Sequence, residues 1–256
     1  SANLLISLGV FVLLICALIV VMIKKDIIIK RINDFIARKS QKYSSKTDVY
    51  LYPKRNLSIP YLISVLAFTG KVKRIYKNNV GKIEHPSIVL CNHGSFIDFA
   101  YAGTLLKDHS PNFIVNRMYF YKKLLAKILR KVGCFPKSMF TLDIESAKNC
   151  VKVLKNNGVL AMMPEARLST AGKFEDIQEG TFAFLKKCNV TVYIINIRGD
   201  YLAKPKWADK MRRGSVVEST LDVLFTKEEI EIFIIANDIK NKINNNYQVF
   251  DKKNES

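Results

Sequence analysis

The sequence predicts an α/β fold in which a mostly parallel β-sheet is flanked by helices, with a transmembrane helix at the N-terminus. Short apolar runs typical of buried strands alternate with longer segments whose apolar residues recur at helical spacing. Two of the predicted strands, ending near Cys91 and Met163, are followed at once by polar residues. Because ligands bind at the carboxyl ends of parallel strands, we expect the functional site at that edge of the sheet.

Five segments are expected along the chain. Its 256 residues, 49% of them hydrophobic, suffice for one substantial domain with a short appendage. We predict a transmembrane anchor at 1–25, a basic linker at 26–56, an interfacial or packing helix at 57–77, the α/β domain at 78–243 and a loose tail at 244–256. The apolar run within 57–77 is about half the length needed to span a bilayer.

The first predicted element is the transmembrane anchor. Residues Asn3 to Ile23 carry no charge, and as a helix they would span about 30 Å, which matches a hydrocarbon core. A cleaved signal peptide is the alternative, but no basic residue precedes the run and no small-x-small cleavage site follows it. Because Lys24 and Lys25 follow the run directly, the positive-inside rule predicts that the rest of the chain lies on the cytoplasmic face of the membrane.

The other elements are inferred from apolar patterning and from capping residues. We predict strands at 86–91, 112–116, 159–163, 190–197 and 216–224, where β-branched and apolar residues run between turn residues. Helices are predicted from residue 96, over 118–131, from residue 144 and over 181–187. Asp143 is expected to cap the third of these, and Asn156-Asn157-Gly158 to end it. Thr226-Lys227-Glu228-Glu229 resembles a capping box for the last helix.

The chain is strongly basic, with a net charge of +19 and a pI near 9.7. Such a charge calls for an anionic partner, either a nucleic acid or an acidic membrane surface. Nucleic-acid binding would need base-stacking aromatic residues among the basic ones, and Tyr119-Phe120-Tyr121 is the one such cluster. Together with the apolar N-terminus, this favours an anionic phospholipid membrane, and no nucleic acid, as the partner.

The five cysteines predict neither a zinc site nor a disulfide framework, because they form no C-x-x-C pair. Cys91 lies next but one to His93, but a thiol inside an apolar strand usually serves packing. We therefore expect free thiols and no metal.

The sequence His-Gly-Ser-Phe-Ile-Asp at 93–98 follows the strand that ends at Cys91. If the Gly-Ser pair forms a turn and a helix begins after it, Asp98 returns toward His93 on the first helical turns. A carboxylate bonded to one imidazole nitrogen fixes the tautomer and leaves the other nitrogen free to take a proton from a hydroxyl. The spacing alone is a weak signal. It gains weight from a second polar turn, at 164–169, after the strand that ends near Met163.

Taken together, Asn92-His93-x4-Asp98 and Pro164-Glu165-x-Arg167-x-Ser169 resemble the glycerolipid acyltransferases, the family that includes 1-acylglycerol-3-phosphate acyltransferase. The resemblance covers about residues 55–220. It implies that His93 acts as the catalytic base and Asp98 as its orienting acid. It also implies that the second block helps to hold the phosphate of the acceptor.

The second block departs from the Phe-Pro-Glu-Gly-Thr-Arg-Ser that is usual in the family. Glu165 maps directly, whereas Arg167 lies one position early. We take Glu165, Arg167, Asn92 and Ser169 as candidates for substrate binding. The early arginine leaves the choice of acceptor open.

Two further family blocks are recognisable in altered form. A glycine-led strand that ends in arginine is similar to Gly133–Met139, where Met139 replaces the arginine and Lys137 is the substitute candidate for substrate binding. The last block, a proline-rich strand, is similar to Val190–Ile195, which keeps the apolar character without the prolines.

The resemblance implies a membrane-bound enzyme that moves a fatty acyl group from an acyl thioester to the free hydroxyl of a lysophospholipid. Lysophosphatidic acid is the favoured acceptor and phosphatidic acid the product. The donor would be acyl-CoA or an acyl carrier protein, with no further cofactor. A hydrolase is disfavoured because G-x-S-x-G is absent from the sequence. Two alternatives stay open: a catalytically weak relative that binds anionic lipid as a membrane module, and a membrane-tethered nucleic-acid-binding protein.

Overall fold

A computed structural model of the chain describes residues 72–138, 143–170, 172, 177, 179–208 and 212–232. The predicted transmembrane anchor, the basic linker and the loose tail lie outside these residues. In the part of the chain that is described, no helix is both long enough and apolar enough to cross a bilayer.

The described residues form a seven-stranded sheet that is mostly parallel, as the alternation of strands and helices predicts. The strands are β1 (Lys73–Asn78), β2 (Ser87–Cys91), β3 (Asn112–Asn116), β4 (Phe135–Lys137), β5 (Val159–Met162), β6 (Thr191–Arg198) and β7 (Val216–Phe225). Their order is β1-β7-β6-β2-β5-β3-β4, and β6 and β7 are the antiparallel neighbours. Strands β6, β2, β5, β3 and β4 therefore all end at one edge of the sheet.

Helices connect and cover these strands: α1 (Asp98–Leu105), α2 (Lys123–Lys131), α3 (Ile144–Lys155), α4 (Glu179–Cys188), α5 (Asp200–Ala203) and α6 (Lys227–Ile232). Two predicted caps are confirmed. At the start of α3, Asp143 Oδ1 accepts a hydrogen bond from Ser146 N at 2.9 Å. At the start of α6, Thr226 and Glu229 form a reciprocal capping box with bonds of 2.9 and 3.2 Å.

The central strands of the sheet are buried on both faces. Along β2, Val89 and Cys91 enter one core cluster, and Ile88 and Leu90 enter the other, because alternate side chains point to opposite faces. Helices α1 and α2 contribute to the first cluster, and α3, α4 and α6 to the second. Such two-sided burial is typical of parallel sheets. It fixes the position of the loop that leaves β2 at residue 92.

One predicted boundary is wrong. The sequence predicts a helix over 57–77 and a domain that starts at residue 78. Residues 57–71 lie outside the described part of the chain, but Lys73–Asn78 form β1 and pair in parallel with β7. This strand is basic because it lies at the edge of the sheet, where Lys77 is exposed and pairs with Glu218 at 3.0 Å. The sheet therefore includes residues that the prediction assigned to the preceding helix.

The predicted helix over 118–131 is shorter in the structure. Arg117–Phe120 form a 3-10 turn, in which the Asn116 side chain accepts a hydrogen bond from Met118 N at 3.0 Å. Lys122 is then extended, so α2 begins only at Lys123. The ends of the other predicted elements agree with the observed ones to within two residues, and β3 agrees at both ends.

Candidate active site

Three neighbouring parallel strands, β6, β2 and β5, each lead to a polar residue at the same edge of the sheet. Asp200 follows β6, His93 follows β2 and Glu165 follows β5. Asp200 and Glu165 are buried, whereas His93 keeps part of its side chain exposed. The carboxyl edge of the sheet is thus the place where the titratable side chains gather.

His93 and Asp98 are in direct contact. His93 lies in the loop after β2 and Asp98 begins α1, so the turn between them brings the two side chains together. His93 Nδ1 is 3.0 Å from Asp98 Oδ2, which also accepts a hydrogen bond from Ser95 N at 2.9 Å. The Asp98 side chain is fully buried, whereas 24% of the His93 side chain is exposed. The imidazole is therefore held on one side and accessible on the other.

The environment of His93 favours its neutral form. Burial lowers the pKa of His93, and the charge of Glu165 offsets only part of that effect. With Nδ1 donating to Asp98, Nε2 carries the lone pair of the neutral ring. A histidine in this tautomer can take a proton from a hydroxyl at neutral pH.

The loop after β5 holds the His93 loop through its backbone. His93 N donates to Glu165 Oε1 at 2.9 Å, and Ser169 N donates to the carbonyl oxygen of His93 at 2.8 Å. Glu165 and Ser169 are both buried. The sequence assigns both residues to substrate binding, whereas these two hydrogen bonds hold the backbone of His93.

Asn92 fastens the same loop to β6. Its Nδ2 donates to the carbonyl oxygen of Ile197 at 2.9 Å, and its Oδ1 accepts from Ile197 N at 2.7 Å. The side chain thereby continues the hydrogen bonding between β2 and β6 by one step. The sequence predicts a substrate contact for Asn92, but its amide group is engaged by the backbone of β6.

The predicted phosphate-binding cations lie on one side of His93. Arg167 is exposed in the loop after β5, and Lys137 ends β4 at the edge of the sheet. Arg117, which the sequence patterns did not single out, follows β3 with 28% of its side chain exposed. Because β5, β3 and β4 succeed β2 in the sheet, all three cations follow strands on the side away from β6. The signal that marks Arg167, a basic residue soon after a strand, also applies to Arg117.

Asp200 is a buried carboxyl group that the sequence patterns did not single out. It begins α5, soon after β6, and its carboxyl group is in hydrogen-bond contact with that of Asp98. A Cβ atom added at Gly94 would collide with the Asp200 carboxyl group, so the glycine makes room for it. The one sequence signal for Asp200 is that it is a polar residue soon after the predicted strand at 190–197. Nothing along the chain indicates that this strand neighbours β2.

Cys91 is packed rather than reactive. Burial, with the nearby carboxylates, raises the pKa of the Cys91 thiol well above its usual value, which disfavours the nucleophilic thiolate. Its Sγ donates to the carbonyl oxygen of Asn92 at 3.3 Å. Among the described residues, no three His, Cys, Asp or Glu side chains are grouped so that they could hold a metal ion.

Known proteins resemble this chain in sequence and in fold. A model of the acyltransferase family matches residues 71–198, which is half of the chain. The chloroplastic 1-acyl-sn-glycerol-3-phosphate acyltransferase LPAT1 of Arabidopsis thaliana is 24% identical over 160 residues, or 59% of this chain and 44% of that protein. The match thus spans less than half the length of this relative.

The crystal structure of the 1-acyl-sn-glycerophosphate (LPA) acyltransferase PlsC from Thermotoga maritima has a similar fold. The TM-score is 0.56 at 17% sequence identity, and the match covers 84% of this chain and 88% of PlsC. The family match runs from before β1 to the end of β6 and includes His93, Asp98 and Glu165. The chain therefore belongs to the acyltransferase family.

Proposed function

We propose that this chain transfers a fatty acyl group from an acyl thioester to the free hydroxyl of a lysophospholipid. The proposed acceptor is 1-acylglycerol-3-phosphate and the product is phosphatidic acid. The observation that carries the proposal is the contact between His93 and Asp98 at the carboxyl edge of the sheet, in a chain of the acyltransferase family. The names of LPAT1 and PlsC both specify this acceptor, which supports the choice.

In the proposed reaction, His93 Nε2 takes the proton of the acceptor hydroxyl while the hydroxyl oxygen attacks the carbonyl carbon of the thioester. The tetrahedral intermediate then collapses, the carbon–sulfur bond breaks, and the imidazolium gives its proton to the leaving thiolate. Asp98 fixes the tautomer of His93 through Nδ1 and stabilises the imidazolium between the two proton transfers. No group on the protein is acylated.

The acceptor phosphate is proposed to bind on the β5 side of His93. Arg167 offers a planar guanidinium that can hold a phosphate through two hydrogen bonds. Arg117 and Lys137 follow the next two strands in the same direction, and they are the further candidates. In this account Glu165 acts through the backbone of His93 instead of binding the phosphate itself.

The proposed membrane partner is anionic phospholipid, and one exposed surface fits it. Five exposed apolar side chains, together called the α2 surface, are proposed to make this contact: Phe96, Met118, Tyr121, Leu124 and Ile128. Phe96 lies in the His93 loop and contacts Tyr119 with ring centroids 5.4 Å apart. On α2, Leu124 is 73% and Ile128 50% exposed. Exposed lysines flank it at positions 122, 123, 127 and 131.

An apolar stripe bordered by ammonium groups suits the interface of an anionic bilayer. Contact through the α2 surface would set the His93 loop beside the lipid from which the acceptor comes. Together with the predicted N-terminal anchor, this makes the protein membrane-bound, with its catalytic domain on the cytoplasmic face. The acidic donor, acyl-CoA or an acyl carrier protein, would approach a domain of basic charge.

The proposal is tested by acyl transfer with the full chain in anionic vesicles. A labelled acyl-CoA or acyl carrier protein serves as donor, and the acceptors are lysophosphatidate, lysophosphatidylcholine and glycerol 3-phosphate. We expect labelled phosphatidate as the main product and a rate about tenfold or more lower with lysophosphatidylcholine, whose headgroup blocks the terminal phosphate. A preference for another acceptor would overturn the phosphate assignment. Release of free fatty acid alone would overturn acyl transfer.

The second candidate is a catalytically weak relative that binds anionic lipid as a membrane module. The observation that favours it is that Ala166-Arg167-Leu168 stands where the family usually has Gly-Thr-Arg, so the arginine lies one position early. This candidate predicts binding to anionic vesicles without product from any of the three acceptors.

A further inference from the structure

We propose that Asp98 and Asp200 share one proton, which resides on Asp200. The protonated Asp200 then positions Asp98 for its contact with His93. Asp200 is then a positioning residue of the acyl-transfer site, and in this respect the inference rests on the proposed function. The shared proton follows from the contact between the two buried carboxyl groups and does not depend on which acceptor is acylated.

The two carboxyl groups meet beside adjacent strands. Asp98 begins α1 after the β2 loop, Asp200 begins α5 after β6, and β2 pairs with β6. The two residues are 0% and 3% exposed, and their side chains are in hydrogen-bond contact. An ionised carboxylate only accepts hydrogen bonds, so this contact requires a proton on one member of the pair. Two bare charges side by side in a buried site would repel each other.

The remaining oxygen atoms of the pair point to the same conclusion. Asp98 Oδ2 already accepts from His93 Nδ1 and Ser95 N. Asp98 Oδ1 and Asp200 Oδ2 are buried and have no hydrogen-bond donor among the described residues. Buried oxygen atoms in this position need a donor. A proton held between the two carboxyl groups supplies it.

Asp98 is the more acidic member of the pair and ionises before Asp200, although burial raises the pKa of Asp98 to about 8. Burial raises the pKa of both carboxyl groups, but the hydrogen bond from Asp200 lowers the pKa of Asp98, while the charge of Asp98 raises the pKa of Asp200. The other titratable groups that face the pair are Cys91 on β2, His93 in the following loop, Tyr101 on α1 and Glu165 after β5. Burial raises the pKa of Cys91 and of Tyr101, so both stay neutral near pH 7.

A protonated Asp200 orients Asp98 without adding charge. Its O–H holds one oxygen of Asp98, which keeps the other directed at His93 Nδ1. The Asp200 carboxyl group also lies against Gly94, where a Cβ atom would collide with it, so it borders the loop that carries His93. The single negative charge of the pair therefore resides on the carboxyl group that contacts the imidazole.

Two substitutions separate this role from a packing role. In Asp200→Asn the amide can still donate to Asp98 without a charge, whereas Asp200→Ala removes the donor. We expect Asp200→Asn to keep kcat within about threefold of the wild type, and Asp200→Ala to lose about tenfold or more in kcat with little change in KM. Circular dichroism verifies that each variant is folded. Equal losses of kcat in the two folded variants would overturn the positioning role.

Two measurements test whether the carboxyl groups share a proton, and neither depends on enzymatic activity. The infrared difference between wild type and Asp200→Asn should contain the carbonyl stretch of a protonated carboxyl group. The His93 ring should titrate in nuclear magnetic resonance spectra with the same midpoint in both proteins. If Asp200 were ionised, the carbonyl band would be absent. The Asp200→Asn substitution would then also lower the titration midpoint of His93, because the charge of Asp200 raises the pKa of His93. Either result overturns the shared proton, even if lysophosphatidate is not the acceptor.

Discussion

His93 and Glu165 are 72 positions apart in the sequence, and His93 N donates a hydrogen bond of 2.9 Å to Glu165 Oε1. This bond joins the loops that follow β2 and β5. The two polar blocks of the family are therefore parts of one site, in which the second block holds the backbone of the first. Ser169 completes the contact by donating to the carbonyl oxygen of His93.

Glu165→Ala should lower the free energy of unfolding by about 1–3 kcal/mol, because it removes the acceptor of a part-buried backbone N–H. Glu165→Gln keeps an oxygen atom at the same position and should lose much less. Chemical denaturation measures both variants, and acyl-transfer activity should fall in the same order. Equal destabilisation by Ala and Gln would contradict the role given to this hydrogen bond.

Ala166 has a φ of 56°, in the left-handed region that favours glycine. The usual family block carries glycine at this position. Ala166→Gly should therefore raise the free energy of unfolding, by up to about 1 kcal/mol. Ala161→Gly is the matched control, because Ala161 lies buried in β5 and its replacement should destabilise the protein. A loss of stability in Ala166→Gly would show that the methyl group contributes more through packing than it costs in strain.

His93 should be neutral at pH 7 and gain its proton only below pH 6.5, because burial lowers its pKa from that value. A base with a lowered pKa keeps its active form as the pH falls, until the pH passes the lowered value. The chain has three histidines, so ring signals can be assigned by the one that His93→Ala removes. A titration midpoint above 6.5 for that signal would contradict the neutral base.

The α2 surface should enter the lipid interface when the full chain is bound to anionic vesicles. The chain has a single tryptophan, Trp207, so Leu124→Trp in a Trp207→Phe background reports on α2 alone. Its fluorescence should be quenched by brominated lipid. The matched control is Val151→Trp in the same background, since Val151 is 40% exposed on α3, which packs on the opposite face of the sheet. Equal quenching at both positions would rule out this orientation.

The residues at the ends of β2 and β5 could be predicted from the sequence because both strands are central and read as uninterrupted apolar runs. Each polar residue that follows such a run lies at the same edge of a parallel sheet. The contact of His93 with Asp98 also follows from local chain geometry, since five residues separate them across one turn.

The strand order could not be predicted in the same way. Asp200 meets Asp98 because β6 pairs with β2, and these strands are not consecutive along the chain. The edge strand β1 lacks an apolar run, because its lysines are exposed and its other residues are at most partly buried. The start of α2 was misplaced because the Asn116 side chain stabilises a 3-10 turn where the apolar pattern alone favours a helix.

The most direct test of His93 as the catalytic base is the rate of phosphatidate formation by His93→Ala compared with His85→Ala. His85 precedes β2, at the opposite end of the strand from His93, and contacts His109 at 3.0 Å. The two variants thus remove the same group from the two ends of one strand. We predict that His93→Ala loses about 100-fold or more in kcat, the usual contribution of a general base, while His85→Ala stays close to the wild type. Rates for His93→Ala within a few-fold of those for His85→Ala would contradict the assignment of His93 as the base.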